Sequence, residues 1–418
     1  MAPYDVAVVG AGASGLMAAL AAAGAGAHVL LAEAGDKPGR KLLATGNGRC
    51  NLSNLHISPE KYHGDTALAA PFLAEWPARR IQAVFASLGL LIRADGDGRV
   101  YPHSLQAAAV VKALLAACEQ VGVTLRCATP VEAVEKTGRG FALSIAGAGQ
   151  VEARRVVLAC GGSVPPGAGG GYRLARQLGH SVTKLSPSLV GLRVPAGLTR
   201  PMKGMRCKAR AALCQGPRLL YAESGEVIFG DGSVSGICVM NLSARLRGLP
   251  PGRLRLRLDL AEAFAEEELA AYLVDLRAQF PHRPANELFA GLLNLRVGQE
   301  LAKSLGLGPG QPLQSLSLEV FGRAAGRVKA FSLPVEGPLG WQQAQCTAGG
   351  VPLGEVDLST MASRRQRGLF LTGELLDLDG DCGGYNLHWA WATGLVAGQA
   401  SAGKNHKREG RACGATCQ

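Results

Sequence analysis

Three glycines near the N-terminus, Gly10, Gly12 and Gly15, have the spacing of a phosphate-binding turn. They follow an apolar stretch, residues 6–9, and precede an alanine-rich segment, in the order strand, turn, helix. Gly10 permits a tight turn, Gly12 lets a pyrophosphate approach the backbone, and Gly15 lets the helix pack closely on the strand. The helix N-terminus adds positive potential toward the phosphates. The pattern predicts a dinucleotide site with contacts from Gly10, Gly12, Ala13, Ser14 and Gly15.

An acidic residue follows at the distance expected for a ribose contact. Residues 28–33 predict a second strand that ends in Glu33, about twenty residues after the glycines, where a carboxylate can bind ribose hydroxyls. The alternative for residues 6–32 is a membrane span, because they hold no formally charged side chain. Glycines interrupt this stretch at phosphate-loop spacing, and residues 1–5 lack the positive charge of a signal peptide. We therefore expect a cytoplasmic protein without a membrane segment.

The loop of residues 45–51, Thr-Gly-Asn-Gly-Arg-Cys-Asn, contains the most reactive side chain type in this region. Cys50 and Tyr385 are the two candidate proton donors for general acid chemistry. A small buried thiol packed under the loop is the alternative role for Cys50. The eleven cysteines include no CxxC pair, and Cys413 and Cys417 lack partners at zinc spacing. We expect reduced thiols and no metal site.

The net charge of +12 is unevenly distributed along the chain. Residues 196–260 hold eleven Lys/Arg and four Asp/Glu, a balance of 11 − 4 = +7. Arg253, Arg255 and Arg257 alternate with leucines, so a strand would place all three on one face. An ordinary solvated surface is one interpretation, and an electropositive surface for structured RNA is the other. The polar, basic residues 402–418 predict a disordered tail.

Strand and helix patterns alternate at both ends of the chain and predict an α/β fold with a parallel sheet. We expect a Rossmann-like, discontinuous dinucleotide-binding domain over residues 1–194 and 336–401. Between them, short strands and later helices predict an inserted antiparallel β, barrel-like, plus helical domain over residues 195–335. The first domain should contain one helix over residues 71–88, a hairpin around residues 95–98 and a final helix over residues 387–399.

Four motifs at the two ends of the chain resemble those of the BaiN/YhiN-type FAD-dependent oxidoreductases. They are residues 39–42, 46–51, 345–351 and 373–387, and the insert matches more loosely at residues 225–229 and 235–236. The resemblance implies FAD as cofactor and an oxidoreductase that reduces an unsaturated substrate by hydride transfer from flavin N5. The chain looks like a divergent, shorter subgroup. Gly170 stands where relatives carry an acid, and residues 230–232, Gly-Asp-Gly, replace a Thr/His-rich stretch.

Further residues beside the cofactor follow from the motifs and the resemblance. Cations at 40 and 41 would offset phosphate charge, the backbone of residue 131 would meet the adenine, and a glycine turn before the last helix would approach the flavin. The alternative role for residues 40 and 41 is that of solvated loop residues, and the alternative for residue 386 is a plain helix N-cap. At residue 131 the adenine contact is weighed against a purely structural role. Beyond the glycine turn, the predicted contacts are Glu33, Arg40, Lys41, Asn47, Gly48, Arg49, Asn51, Val131, Gly161, Gly373, Glu374, Asp379, Gly383, Gly384, Tyr385, Asn386 and Leu387.

The substrate stays open between two candidates. One is a uridine in ribosomal RNA, which the basic insert and tail favour, and the other is a small enone-like molecule of the steroid or bile-acid type. A flavin-containing RNA-binding protein without turnover is a third possibility. The sequence contains no second strand-GxGxxG-helix unit, so we expect NAD(P)H to act as a transient small-molecule reductant at the flavin face. Reduction of the flavin by another protein is the alternative. The oligomeric state is not predicted.

Overall fold

The computed structural model describes residues 3–147, 149–164, 169–249 and 253–403. Most of the predicted tail and part of the divergent loop at 163–171 therefore lie outside the described residues. The described residues fall into two compact units: one drawn from the ranges Met1–Ser163, Gly167–Leu185 and Gly349–Gln418, the other mainly from Ser186–Ala348. The second unit is wider than the predicted insert of 195–335, because Ser186–Ser188 and Cys346–Ala348 pair with each other as strands.

Both units contain helices and strands. The helices are α1 (Ala13–Gly24), α2 (Arg40–Ala44), α3 (Thr66–Glu75), α4 (Ala78–Ser87), α5 (Ala107–Gln120), α6 (Gly170–Gln177), α7 (Ala196–Thr199), α8 (Ile237–Ala244), α9 (Glu266–Gln279), α10 (Leu295–Ser304), α11 (Leu318–Lys329) and α12 (Tyr385–Ser401). The first strands are β1 (Tyr4–Val9), β2 (Val29–Ala32), β3 (Ser53–Asn54), β4 (Tyr62–Gly64), β5 (Ile92–Ala94), β6 (Arg99–Pro102), β7 (Thr124–Arg126), β8 (Val131–Lys136), β9 (Phe141–Ile145), β10 (Gly149–Leu158), β11 (Ser186–Ser188) and β12 (Leu192–Arg193). The others are β13 (Arg206–Gln215), β14 (Arg218–Gly230), β15 (Ser233–Ser235), β16 (Leu254–Asp259), β17 (Phe331–Pro334), β18 (Gly337–Pro338), β19 (Cys346–Ala348), β20 (Val356–Asp357), β21 (Ala362–Ser363), β22 (Leu369–Leu371) and β23 (Leu378–Gly380).

A parallel sheet forms the centre of the first unit. Its parallel strands run in the order β7-β2-β1-β10-β22, with Val8 of β1 opposite Leu31 on one side and Val157 on the other. The central segments of this sheet, residues 6–9, 29–32, 156–158 and 369–371, are apolar and buried because a parallel sheet is covered on both faces. The antiparallel strands β8 and β9 extend the sheet from β10. The predicted α/β, Rossmann-like fold is confirmed.

α1 packs closely on α12, and this packing fixes the N-termini of both helices relative to each other. A Cβ on Gly394 would lie 2.4 Å from the Ser14 carbonyl oxygen, and one on Gly398 would lie 2.3 Å from the Ala18 carbonyl oxygen. Only glycine permits this approach, since real Cβ atoms do not come so near to backbone oxygen. The glycines of the last helix therefore hold the C-terminal motif against the N-terminal one.

The second unit contains an antiparallel sheet with strand order β17-β16-β13-β14-β15-β12-β18. This pairing is an open path in the described residues, with β17 and β18 at its ends. The core under the sheet joins alternate strand residues such as Leu256 and Leu258 to apolar side chains of α9 and α11, including Leu273 and Phe321. The predicted antiparallel and helical parts are therefore both present.

Two differences in helix content have local causes. The predicted helix over residues 71–88 is two helices, α3 and α4, because Pro77 disfavours helical backbone at Trp76, whose ψ is 68°. The sequence did not predict α8 and α11. The hairpin of β5 and β6 is confirmed, and the final helix begins at Tyr385, two residues before the predicted start.

Candidate FAD site

The three glycines of the N-terminal turn have distinct surroundings. Gly10 has φ +101°, and a Cβ there would lie 2.6 Å from the Ala159 carbonyl oxygen. A Cβ on Gly15 would lie 1.8 Å from the Gly10 carbonyl oxygen, so this glycine allows α1 to start against the turn. A Cβ on Gly12 would meet no atom within 4 Å. Gly10 and Gly15 are therefore needed for folding, whereas Gly12 keeps space open at the helix N-terminus.

The N-terminus of α1 is suited to bind an anion. Its N-cap, Gly12, supplies no side-chain cap, and Ala13 begins the helix. Free N–H groups in a first helical turn bind phosphate oxygens well. Ser14 is buried, and a Cβ on Gly373 would lie 2.8 Å from its Oγ, so the C-terminal motif meets the glycine turn here.

Glu33 is fixed by two backbone donors at the end of β2. Its Oε2 accepts from the Ala11 N–H at 2.7 Å, and its Oε1 accepts from the Gly35 N–H at 2.8 Å. A carboxylate oxygen can accept more than one hydrogen bond, so Glu33 retains capacity for a ribose hydroxyl. Its backbone also pairs with the segment before β8, because the Thr129 N–H donates to the Glu33 carbonyl at 2.8 Å. This brings the predicted ribose and adenine contacts to one edge of the sheet.

Val131 and Gly161 lie at the ends of two strands of the first unit, β8 and β10, which are separated by β9. Val131 opens β8 and pairs in register with Ile145 of β9. Gly161 follows β10 with φ +70°, and a Cβ there would meet no atom within 4 Å. Gly161 thus resembles Gly12 in facing open space beyond the sheet.

The cations of α2 are in different situations. Arg40 is exposed at the first position of the helix. The Lys41 Nζ lies 2.6 Å from Oε2 of Glu374, and the two side chains are 40% and 18% exposed. The Lys41 ammonium therefore already offsets one carboxylate, so its predicted phosphate contact would compete with this pair. The Gly39 N–H donates to the Ala11 carbonyl at 2.9 Å and ties α2 to the glycine turn.

The loop after α2 separates exposed from buried residues. Three of the predicted contacts, Asn47, Gly48 and Arg49, are exposed, and Arg49 lies over the Tyr101 ring at 5.6 Å from its centroid. Cys50 is fully buried, and burial raises the pKa of its thiol to about 12. This environment matches the alternative of a packed structural thiol.

A glycine turn and the start of α12 meet the end of this loop. A Cβ on Gly384, whose φ is +101°, would lie 2.4 Å from the Ser53 carbonyl oxygen, and the Asn54 Nδ2 donates to the Gly383 carbonyl at 2.9 Å. Asn386 lies inside the helix and does not cap it. Its side chain accepts from the Gly380 N–H at 2.9 Å and donates to the Gly380 carbonyl at 2.7 Å.

The N-terminus of α12 has no side-chain cap, so the N–H groups of its first turn remain available to a bound ligand. Tyr385 is buried at the first helical position, and Leu387 is half-buried. Asp379 is buried on β23. The structure thus brings the loop of residues 45–54 and the turn of residues 379–387 together.

Asn51 provides a test of whether FAD fits this place. Its Oδ1 is buried without a hydrogen-bond partner among the described residues, and a Cβ on Gly384 would lie 2.7 Å from it. A buried unsatisfied acceptor costs about 1–3 kcal/mol. The flavin ring and its ribityl chain carry N–H and O–H donors, so the residues present fit FAD.

Replacing Asn51 with alanine should weaken FAD binding without destabilising the apoprotein. We expect the FAD dissociation constant to rise roughly 10–100-fold, because one hydrogen bond to a buried group is lost. The melting temperature of the apoprotein should stay the same or rise, since the unsatisfied acceptor is gone. Flavin fluorescence titration and thermal melts measure both. A fall in apoprotein stability with unchanged FAD affinity would contradict this role.

His388, which sequence reasoning missed, is buried below the turn. Its Nδ1 lies 2.8 Å from Ser53 Oγ, and its Nε2 lies 2.7 Å from the Trp76 carbonyl oxygen. That carbonyl can only accept, so Nε2 carries the proton and Nδ1 accepts from the Ser53 hydroxyl. Burial lowers the pKa of His388 from 6.5 to about 4. The apolar side chains on the same helix face as His388 were the sequence signal that could have identified it as a buried histidine.

Acid should therefore destabilise the protein through His388. The unfolded chain binds a proton at pH 6.5 and the folded chain only near pH 4, so this stabilisation is complete above pH 6.5 and is lost as pH falls to about 4. The loss is on the order of 3 kcal/mol. Urea unfolding of His388→Gln should show a flatter pH dependence in this window than the wild type. The exposed His103→Gln control should follow the wild type, and equal slopes in all three would refute the prediction.

A second polar cluster lies beside the C-terminal motif, where β4 pairs with β23. His63 Nε2 lies 2.8 Å from Oδ1 of the buried Asp381, and Lys61 Nζ lies 3.8 Å from its Oδ2. The Tyr62 hydroxyl donates to the Tyr385 carbonyl at 3.1 Å. These contacts hold the strand that leads into the glycine turn. Residues 61–63 carry no recognisable motif, so the sequence did not point to them.

Two negative findings apply to the ranges that the structure describes. They contain no group of three or more His, Cys, Asp or Glu side chains that could hold a metal ion. They also contain no helix that is long and apolar enough to cross a bilayer.

Comparison with solved structures matches the fold. A 3-ketosteroid-Δ4-(5α)-dehydrogenase from Rhodococcus jostii RHA1 aligns with a TM-score of 0.54 at 18% identity, covering 96% of this chain and 97% of that one. A 3-ketosteroid Δ1-dehydrogenase from Sterolibacterium denitrificans aligns with a TM-score of 0.51 at 16% identity, covering 96% and 100%. At these identities the likeness extends to the fold alone.

Comparison of sequences identifies the family. The model of the HI0933-like protein Rossmann domain matches residues 4–400. A 3-dehydro-bile acid Δ(4,6)-reductase of Clostridium scindens is 36% identical, over 95% of this chain and 98% of its own. A ribosomal RNA dihydrouridine synthase of Escherichia coli K12 is 31% identical, over 96% and 98%. With the glycine turn, Glu33 and the C-terminal turn in place, the chain belongs to the HI0933-like family and is an FAD-dependent oxidoreductase.

Proposed function

We propose that this protein reduces a carbon–carbon double bond conjugated to a carbonyl, with a uridine in structured RNA as the substrate. The names of the two relatives described above have this chemistry in common, because a uracil ring and a steroid enone both place C=C next to C=O. Reduction adds a hydride to the carbon far from the carbonyl and a proton to the near one. The observation that carries the choice of RNA is a set of exposed cations on strands β13 and β16 of the second unit: Arg206, Lys208, Arg210, Arg255 and Arg257.

In this proposal the discontinuous domain holds the cofactor. Gly12 and the N-terminus of α1 would bind the pyrophosphate, Glu33 the adenosine ribose, and Asn51 with the turn at Gly383 and Gly384 the flavin. Bound FAD, once reduced, supplies a hydride from N5. The N-terminus of α12 would favour negative charge at the flavin end. NAD(P)H is proposed as the transient reductant.

In this proposal Tyr385 donates the proton that the substrate receives at the carbon next to its carbonyl. Cys50 is fully buried and burial raises the pKa of its thiol to about 12, which favours a packed structural thiol over a proton donor. Tyr385 is the first residue of α12, and its ring lies 3.3 Å from the position of a Cβ on Gly383. The ring is held edge-on by Tyr62 at a centroid distance of 5.9 Å.

The cytoplasm is the proposed compartment, since RNA is there. All nine cysteines within the described residues are free thiols, which suits a reducing environment. The discontinuous domain of residues 1–194 and 336–401 would serve the cofactor, and the insert of residues 195–335 would serve the substrate.

A second function is supported by a specific observation: the bile-acid reductase is 36% identical along nearly the whole chain. The test is to reduce the flavin anaerobically with NADPH and to add either a uridine-containing RNA hairpin or 4-androstene-3,17-dione. Reoxidation by the RNA with formation of dihydrouridine supports the proposal. Reoxidation by the steroid alone supports a small enone. RNA binding without flavin turnover by any donor would indicate a binding protein and overturn the proposal.

A further inference from the structure

The outer face of the insert sheet carries a cluster of cations, here called the basic face. It consists of Arg206, Lys208 and Arg210 on β13 and Arg255 and Arg257 on β16. All five side chains are exposed, while Leu254, Leu256 and Leu258, which alternate with the two arginines of β16, are buried. The alternation predicted for Arg253, Arg255 and Arg257 is confirmed for Arg255 and Arg257, whereas Arg253 precedes the strand. The two arginines lie beside a second basic strand, β13, which the sequence did not align with them.

Strand register places these cations on one side of the sheet. Ala212 pairs with Arg257 and Arg210 with Asp259, so the even residues of β13 and the odd residues of β16 share a face. Neighbouring strands are about 5 Å apart, and side chains two residues apart along a strand are about 7 Å apart. The cations thus form a grid, whereas side chains of the opposite face, such as Leu256 and Leu258, enter the core.

The carboxylates of this face are already paired. Glu226 lies opposite Lys208 in register but binds Arg206, with Oε1 3.1 Å from Nη1. Asp259 lies opposite Arg210 but binds Lys329, with Oδ2 2.7 Å from Nζ. In the described part of the chain, Lys208, Arg210 and Arg257 have no carboxylate within ion-pair distance. Three exposed cations without paired carboxylates create a positive potential that attracts a polyanion.

We propose that the basic face is a docking surface for the sugar-phosphate backbone of the RNA. This inference rests on the proposed function and adds the surface by which the substrate is held. Contacts to phosphates fix position and carry no base information. The basic face should therefore bind RNA regardless of sequence, and selection of the uridine would belong to the flavin site.

The test uses the full-length holoprotein and a fluorescein-labelled RNA hairpin with uridines in its loop. The variant is Lys208→Gln/Arg210→Gln/Arg257→Gln. The matched control is Lys112→Gln/Arg79→Gln/Arg93→Gln, which removes one lysine and two arginines from exposed positions of the first unit. Both variants change the net charge equally, so only the location of the cations differs. Retained flavin absorbance and NADPH oxidation with 4-androstene-3,17-dione or oxygen report intact folding.

The basic-face variant should bind the hairpin at least about tenfold more weakly, and the slope of log Kd against log salt should fall by about 2–3. The loss should be equal for a hairpin without uridines, and the control should bind like the wild type. Equal losses in both variants, or none in either, would overturn the inference. Tighter binding to phosphatidylglycerol vesicles than to RNA would overturn it as well. Dihydrouridine formation by the wild type decides the proposed function separately, because RNA docking is measured without turnover.

Discussion

Replacing Gly12 with alanine should give a folded protein that no longer retains FAD. A methyl group there meets no protein atom within 4 Å, and the backbone at φ −82° suits alanine, so the apoprotein should lose about 1 kcal/mol or less. The methyl group would occupy the space through which a pyrophosphate approaches the backbone. We expect FAD affinity to fall at least about 100-fold, equivalent to about 2.7 kcal/mol.

The matched control is Gly15→Ala, three residues away in the same turn. Its Cβ would lie 1.8 Å from the Gly10 carbonyl oxygen, so this variant should lose stability and FAD together. Circular dichroism, thermal melts and flavin retention distinguish the two outcomes. A Gly12→Ala protein that keeps normal FAD content would show that the pyrophosphate does not lie at this turn.

Replacing Tyr385 with phenylalanine should reduce substrate turnover while leaving FAD binding intact. Losing a positioned proton donor typically costs about 10²–10⁴-fold in rate. The ring packing against Tyr62 is kept, so the fold should be preserved. Reduction of the flavin by NADPH should be unaffected, because the proton is needed only by the substrate. Stopped-flow measurement of the reductive and oxidative half-reactions separates these steps.

Cys50→Ala is the control that compares the two candidate donors. The thiol is fully buried, so its removal should lower the melting temperature slightly and leave turnover within a few-fold of the wild type. A large loss of the oxidative half-reaction in Cys50→Ala, with little effect in Tyr385→Phe, would reverse the assignment.

The N-terminal half of the candidate site could be predicted from sequence because its residues lie close together along the chain. Gly10, Gly12, Gly15 and Glu33 lie within one βαβ unit, where spacing alone determines which backbone atoms face the ligand. The basic alternation of Arg255 and Arg257 was predictable for the same reason, since a strand has a fixed side-chain period of two.

Other parts of the site depend on long-range contacts that a single sequence does not display. The Lys41–Glu374 pair and the Ser53–His388 contact each join residues more than 300 positions apart. Asn386 was weighed as a cofactor contact or an N-cap, whereas its amide is committed to the Gly380 backbone. Burial of Cys50 was likewise one of two open alternatives, and only its packing could decide between them. Helix α8 was missed because its residues follow Gly236 without a polar cap.

The central claim is that this chain carries FAD and uses it to reduce a conjugated double bond in RNA. One anaerobic experiment tests this claim most directly. The visible absorbance of the bound flavin is followed as NADPH is added, and then as a uridine-containing RNA hairpin is added to the reduced protein. We predict that NADPH bleaches the flavin band and that the RNA restores it, with dihydrouridine in the product. A protein that binds no FAD, or a reduced flavin that RNA leaves bleached, would contradict the account.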